Sequence, residues 1–375
     1  MKSKANNSTA AAPAKKRESN LELFRIITML LIVAHHYVVN SGLMAVNGPI
    51  EASPASKNSL FLVLFGAWGK IGINCFVMIT GYFMCKSEIT AKKFAKLVGE
   101  WLFYRYAIHL IFVAAGYEKL TPRSMIEIIV PVTKVEQNFT SCFVLFWLFI
   151  PFLNKLISVI SERQHIYLLL LTGFTYILFG TAHRVTMNYV TWFMIIYIIA
   201  AYIRIYPKKW MDNNLICGVL LLVSVGLSAA SVFICAKTGH SAHTFVTDSN
   251  TFLAVAVGVF AFLFFKNIRI PYSRLINTIA ASTFGVFCIH AHSDTMRQWL
   301  WKDKLDCIGH YGDKLMPLYA VGCVLGIFAV CVIIDIIRIN LIEKPFFKWW
   351  DKHWNSFAEA YKLKEDRIFK KLHID

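Results

Sequence analysis

The sequence predicts an all-α, polytopic membrane bundle of about ten transmembrane helices with both termini in the cytoplasm. Three observations carry this reading. Of the 375 residues, 57% are hydrophobic and only 16% are charged, more apolar surface than a soluble domain of this size can hide. The apolar residues come in runs near twenty, the length a helix needs to cross a hydrocarbon core. The basic residues gather in alternate links, as cytoplasmic loops do under the positive-inside rule.

The spans follow in order from these runs. The first, 22–41, is apolar except for one polar stripe. The second, 60–85, begins near Gly66 to Lys70 in a stretch expected along the outer surface, with Lys70 snorkelling to the interface. Its Gly72, Thr80 and Gly81 are small enough for close helix approach. The third, 97–115, carries Glu100, Arg105 and His109 at membrane depth. The fourth (139–157) is phenylalanine-rich, and the fifth (166–180) holds the run YLLLL. The sixth (189–206), seventh (215–236) and eighth (251–265) are nearly free of charge. The ninth, 276–299, has a second polar stripe, and the tenth is 317–341. The weak segment 124–132 is where the count is most open.

Placing the basic N-terminus inside tests the count. Alternate links then hold Lys86, Lys92, Lys93 and Lys96, then Lys155 and Arg163, then Arg204, Lys208 and Lys209, then Lys266, Arg269 and Arg274. The opposite links mix fewer cations with Glu51, Glu118, Glu127, Asp248, Asp303 and Asp313. Both ends therefore fall on one side, which requires an even number of spans. The expected organisation is a disordered basic tail (1–20), a membrane domain (21–346) and an interfacial tail (347–375) whose KPFFKWWDKHW mixes aromatics with lysines.

Several function classes fall away. The net charge of +17 sits in short links, where it sets topology and meets anionic lipid, so no nucleic-acid partner is expected. The nine cysteines include no C-x-x-C pair, which leaves a zinc or redox site unsupported, and no metal is expected. No G-x-S-x-G elbow, H-E-x-x-H helix or phosphate-binding P-loop occurs. The sequons at Asn7 and Asn138 are matches of a kind common by chance.

What remains is ionisable chemistry inside the membrane, where a charge costs a few kcal/mol and marks function. Arg25 and His36 stand eleven residues apart in the first span, almost three helical turns, on one face and roughly 16 Å apart. Glu22 and Asn40 share that stripe. His36 is the candidate general base. Arg25 is suited to grip phosphate or carboxylate with its planar fork. The structural alternative is a Glu22–Arg25 pair and a histidine bonded to a neighbouring helix; His35, about 100° away, is read as structural. On the ninth span Thr283, Phe287, His290, Asp294 and Arg297 fall at helical spacing on one face. Counted from the opposite boundary, His290 reaches the depth of His36, so both are expected at a shared cavity. Glu22, Thr80, Asp294 and Arg297 are expected to line it.

With these residues in view, the chain resembles the acyltransferase-3 family of integral membrane acyltransferases over about 22–345. The resemblance rests on Arg25 and His36 in ELFRIITMLLIVAHHY, on GINCFVMITGYF, on STFGVFCIH with His290, and on PFLNKL and YIIAAYIRIYP. It implies a ten-helix bundle that passes an acyl group, usually acetyl, from cytoplasmic acetyl-coenzyme A to a hydroxyl of a cell-surface or lipid-linked glycan. It also implies that Arg25 and His36 are needed, in a multi-pass protein of the cell membrane. Thr80 stands where serine is usual, and Lys86 and later lysines replace the arginines often found there. Arg25, Lys86 and Lys93 are then the expected contacts to coenzyme A phosphates. His290 or Thr80 is the expected donor to the oxyanion. The rival class is a proton-coupled transporter or flippase, which also uses buried histidine, aspartate and arginine.

Overall fold

Among the described residues of the computed structural model, seven helices are long and apolar enough to cross a bilayer, and an eighth span is a helix pair bent by 93°. Two shorter apolar helices, Tyr189–Ile205 and Phe252–Asn267, fall where the sixth and eighth spans are expected. The structure describes residues 18–129, 139–183, 188–241, 244–246 and 248–371, and no strand occurs among them. The expected tail 1–20 lies almost wholly outside the described residues, as do both sequons.

Each expected span has its helix. The first is Ser19–Val39, the second Lys57–Met84, the third Ala91–Ala114, the fourth Phe139–Val159, the fifth Glu162–Ala182 and the seventh Asn214–Lys237. The ninth is Arg274–His290 with Asp294–Lys304, and the tenth begins as Met316–Arg338. The weak segment forms only a short helix, Pro122–Ile129. The first two spans are 61% buried within the molecule, against 11% for the fifth. The first and second therefore form the centre, and the fifth turns its apolar side outward, where lipid is the only solvent that suits it.

Polar bonds define two faces. On the terminal face Asn20 donates to the Phe265 and Lys266 carbonyls, and Ser19 accepts from Asn277. There Asn154 of PFLNKL donates to the Met84 carbonyl at 3.0 Å and accepts from the Tyr197 hydroxyl. On the far face Ser56, Asn58 and Ser59 hold Tyr311. The C-terminal segment Lys344–Lys371 is one helix.

Two departures from straight spans shape the interior. The second span breaks between Gly66 and Gly69. The Gly66 carbonyl freed there accepts from His35 Nδ1 at 2.7 Å, which gives His35 its structural task. Gly66, Gly69 and Gly72 lie directly on Val38, His35 and Ile32 of the first span, and a Cβ at Gly69 would overlap the His35 side chain. The two central helices are thus in backbone contact, the close approach that small residues permit.

The ninth span bends at residues 291–293, where Ser293 starts a new helix by accepting from the Met296 amide at 3.2 Å. The single straight stripe expected from Thr283 to Arg297 is therefore corrected. Asp294 and Arg297 belong to a second helix set nearly at right angles. Helical spacing is periodic on both sides of the bend, so periodicity alone did not reveal it.

Candidate active site

The bend sets His290 at the C-terminal end of its helix, against the last turns of the first span. His290 Nδ1 lies 2.6 Å from the Val286 carbonyl. A carbonyl only accepts, so this nitrogen carries the proton. In a neutral ring the other nitrogen, Nε2, is then an acceptor. His36 Nδ1 stands 2.9 Å from it and must donate. The proton of neutral His36 is accounted for at Nδ1, and its Nε2 keeps a lone pair.

This chain of two imidazoles is firmly held. The His36 ring leans on Phe287, and His290 meets the edge of Trp301, which in turn packs on Tyr37. Trp301 and Tyr37 are fully buried. His290 is itself only 1% exposed, so the far nitrogen of His36 is the end of the chain that meets open space.

That space is a cavity of about 620 Å³. The first span lends Ile32, His35 and His36, and the break in the second lends Gly69 and Lys70. The third gives Trp101, Arg105 and His109. The ninth gives Phe287 and Cys288 before the bend, then Asp294 and Arg297 after it. Exposed Lys119 and Asp294 mark its mouth on the far face.

The residues singled out in the sequence divide into two groups. His36, Asp294 and Arg297 line the cavity, and His290 backs it through His36. Asp294 and Arg297 pair at 2.9 Å. The second group sits elsewhere. Arg25 pairs with Glu22 at 3.3 Å near the terminal face, and neither lines this cavity. Buried Thr28, Met29 and Ile32 separate Arg25 from His36, and Gly72 packs on Ile32 there. Thr80 bonds back to the Phe76 carbonyl at 3.1 Å. Glu22 and Thr80 are not among the described residues that line the cavity at His36, and Ile32, on which Gly72 packs, stands between them and it. Lys86 is exposed, and Lys93 folds onto Ser87 Oγ (2.6 Å) and the Glu88 carbonyl.

Groups outside the expected site also take part. Lys70 is no mere interfacial anchor but lines the cavity and donates to Tyr189 at 2.6 Å. His109 pairs with Glu118 on the cavity wall. Beneath the ninth span lies a buried ion cluster. Arg338 bridges Asp335 at 2.7 Å, Glu343 at 2.9 Å and Glu100 at 3.2 Å. Tyr104 also donates to Asp335. A Cβ at Gly285 would run into the Asp335 carboxylate, so the glycine of STFG is there to let the ninth span lie on this cluster. Asp335 and Arg338 were legible as ionisable residues three apart in an apolar run.

An acyltransferase-domain model of the acyltransferase-3 family matches residues 18–336. The chain belongs to that family. No curated protein and no solved structure matches it. The part matched to the acyltransferase-3 domain contains both histidines and every cavity residue named above. This acyltransferase-3 chain is a multi-pass membrane protein.

Proposed function

We propose that this protein transfers an acetyl group from cytoplasmic acetyl-coenzyme A to a hydroxyl of a cell-surface or lipid-linked glycan in the cell membrane. The observation that supports this most is the hydrogen-bonded run from the Val286 carbonyl through His290 to His36, which leaves one basic nitrogen facing a polar cavity. It is the arrangement a general base needs: a lone pair toward the substrate and a fixed proton behind it.

In the proposed reaction the acceptor hydroxyl bonds to His36 Nε2. Its oxygen attacks the thioester carbonyl carbon while its proton passes to Nε2. The carbon–sulfur bond then breaks, and the departing sulfur takes that proton, so the products are an ester and free coenzyme A. His290 keeps the ring oriented while it carries the transient charge. Such base catalysis is worth about 10²–10⁴-fold. Neither His290 nor Thr80 suits the oxyanion role, because both nitrogens of the first and the hydroxyl of the second are engaged. The donor is assigned to the terminal face, with Arg25, Lys86 and Lys93 toward its phosphates. Its thioester reaches His36 only when the Met29–Ile32 layer gives way.

The test uses purified protein, labelled acetyl-coenzyme A and crude cell-surface glycans. The expected result is label on the glycan with one free thiol per ester, lost in His36→Ala while the variant stays folded in the membrane. Wild-type transfer by His36→Ala refutes the mechanism. Absence of thiol release with every acceptor tried favours the transporter or flippase class.

A further inference from the structure

The cavity beside His36 is unevenly charged. Its described lining includes the cations Lys70, Arg105, Lys119 and Arg297 but only two carboxylates, Glu118 and Asp294. Both carboxylates are already engaged, Glu118 by His109 and Asp294 by Arg297.

Lys70 is the instructive cation. It sits in the first turn after the break in the second span, next to Gly69, whose backbone lies on His35. Its side chain is half-buried. Its ammonium donates to the Tyr189 hydroxyl at 2.6 Å and lies 5.3 Å from the centre of that ring. No carboxylate among the described residues lies within ion-pair distance of it. An ammonium has three donors, and the hydroxyl uses one. Lys70 and Arg297 are both within electrostatic reach of the His36 ring. A partly desolvated cation held by one phenol hydroxyl, beside the attacking base, is arranged for an anion that arrives with the substrate.

We propose that the acceptor carries a fixed negative charge, a phosphate or a carboxylate, near the hydroxyl to be acylated, and that Lys70 is its counter-ion. This rests on the acyl-transfer reading and specifies its substrate class. It places the anion at the far-face cavity and not at the donor's end of the protein.

The test reads binding, not turnover. Protein in lipid nanodiscs is titrated with N-acetylglucosamine, N-acetylmuramic acid and N-acetylglucosamine 1-phosphate, and thermal stabilisation is followed. At least one charged sugar is expected to bind about ten-fold or more tightly than the neutral one. The stronger of the two charged probes tells carboxylate from phosphate. Lys70→Met should erase the preference and Lys70→Arg should keep it. Equal binding of neutral and charged sugars, no binding of either charged sugar, or a preference that survives Lys70→Met overturns the proposal. So does displacement of the phosphorylated sugar by free coenzyme A, which would assign the anion site to the donor. The wild-type comparison stands even if a Lys70 variant misfolds. No arm needs catalysis, so failure here is separate from failure of the His36 mechanism, which the transfer assay reads.

Discussion

Replacing His290 isolates the orienting half of the histidine pair. In His290→Ala the acceptor 2.9 Å from His36 Nδ1 disappears, and with it the reason for the proton to stay on that nitrogen. His36 can then rotate or exchange tautomers, and the lone pair no longer faces the cavity in most molecules. General-base catalysis is worth about 10²–10⁴-fold, and loss of an orienting partner forfeits much of it. The expected fall in kcat is about 10²–10³-fold, or roughly 3–4 kcal/mol of barrier, with the KM for acetyl-coenzyme A little changed. His290→Gln offers a carbonyl oxygen to His36 and an amide to the Val286 carbonyl, and should recover at least about ten-fold of the loss, since one hydrogen bond of this kind contributes on that order. The assay is acceptor-dependent thiol release, normalised to folded protein by size-exclusion profile. An Ala variant within about three-fold of wild type, or a Gln variant no better than Ala, rules out an orienting role for His290.

Three further outcomes follow from the packing. His35→Leu strands the Gly66 carbonyl and should lower stability by about 1–3 kcal/mol, read as thermal inactivation, while activity per folded molecule changes far less than in His36→Ala. Gly285→Ala drives a methyl group into an Asp335 carboxylate that Tyr104 and Arg338 hold in place. It should cost about 1–3 kcal/mol, and a variant as heat-stable as wild type would count against the close contact. Arg338→Met leaves Glu100, Asp335 and Glu343 buried without their shared cation. A loss of about 3–5 kcal/mol is expected, visible as poor folded yield, and normal yield would contradict the cluster's role.

The spans were legible because hydrocarbon thickness imposes one length on every crossing helix. Even the two short helices, Tyr189–Ile205 and Phe252–Asn267, fall within two residues of the expected runs. The depth match between His36 and His290 came from counting residues along two helices of fixed rise, and the 2.9 Å contact agrees with it. The bend after His290 was not legible, since polar residues recur at helical spacing on both sides of it. The break at Gly66–Gly69 was half visible as a surface-lying start, but its lock, the His35 bond, joins residues 31 apart in sequence. Arg25 shows the limit of a face argument. It shares the stripe of His36, yet Ile32 and Met29 on that same stripe are buried by the neighbouring helix. Lys70 was misplaced because a lysine at a span end usually snorkels, and only the broken helix turns it inward.

The most direct measurement is a structure of the protein with coenzyme A and an acceptor sugar bound. The proposed transfer predicts the acceptor oxygen hydrogen-bonded to His36 Nε2, the thiol sulfur beyond it with room between them for an acetyl carbonyl carbon at near-attack range, about 3–3.5 Å, from that oxygen, and the Met29–Ile32 layer displaced. A coenzyme A sulfur lodged away from the cavity, with His36 Nε2 touching neither substrate, would contradict it.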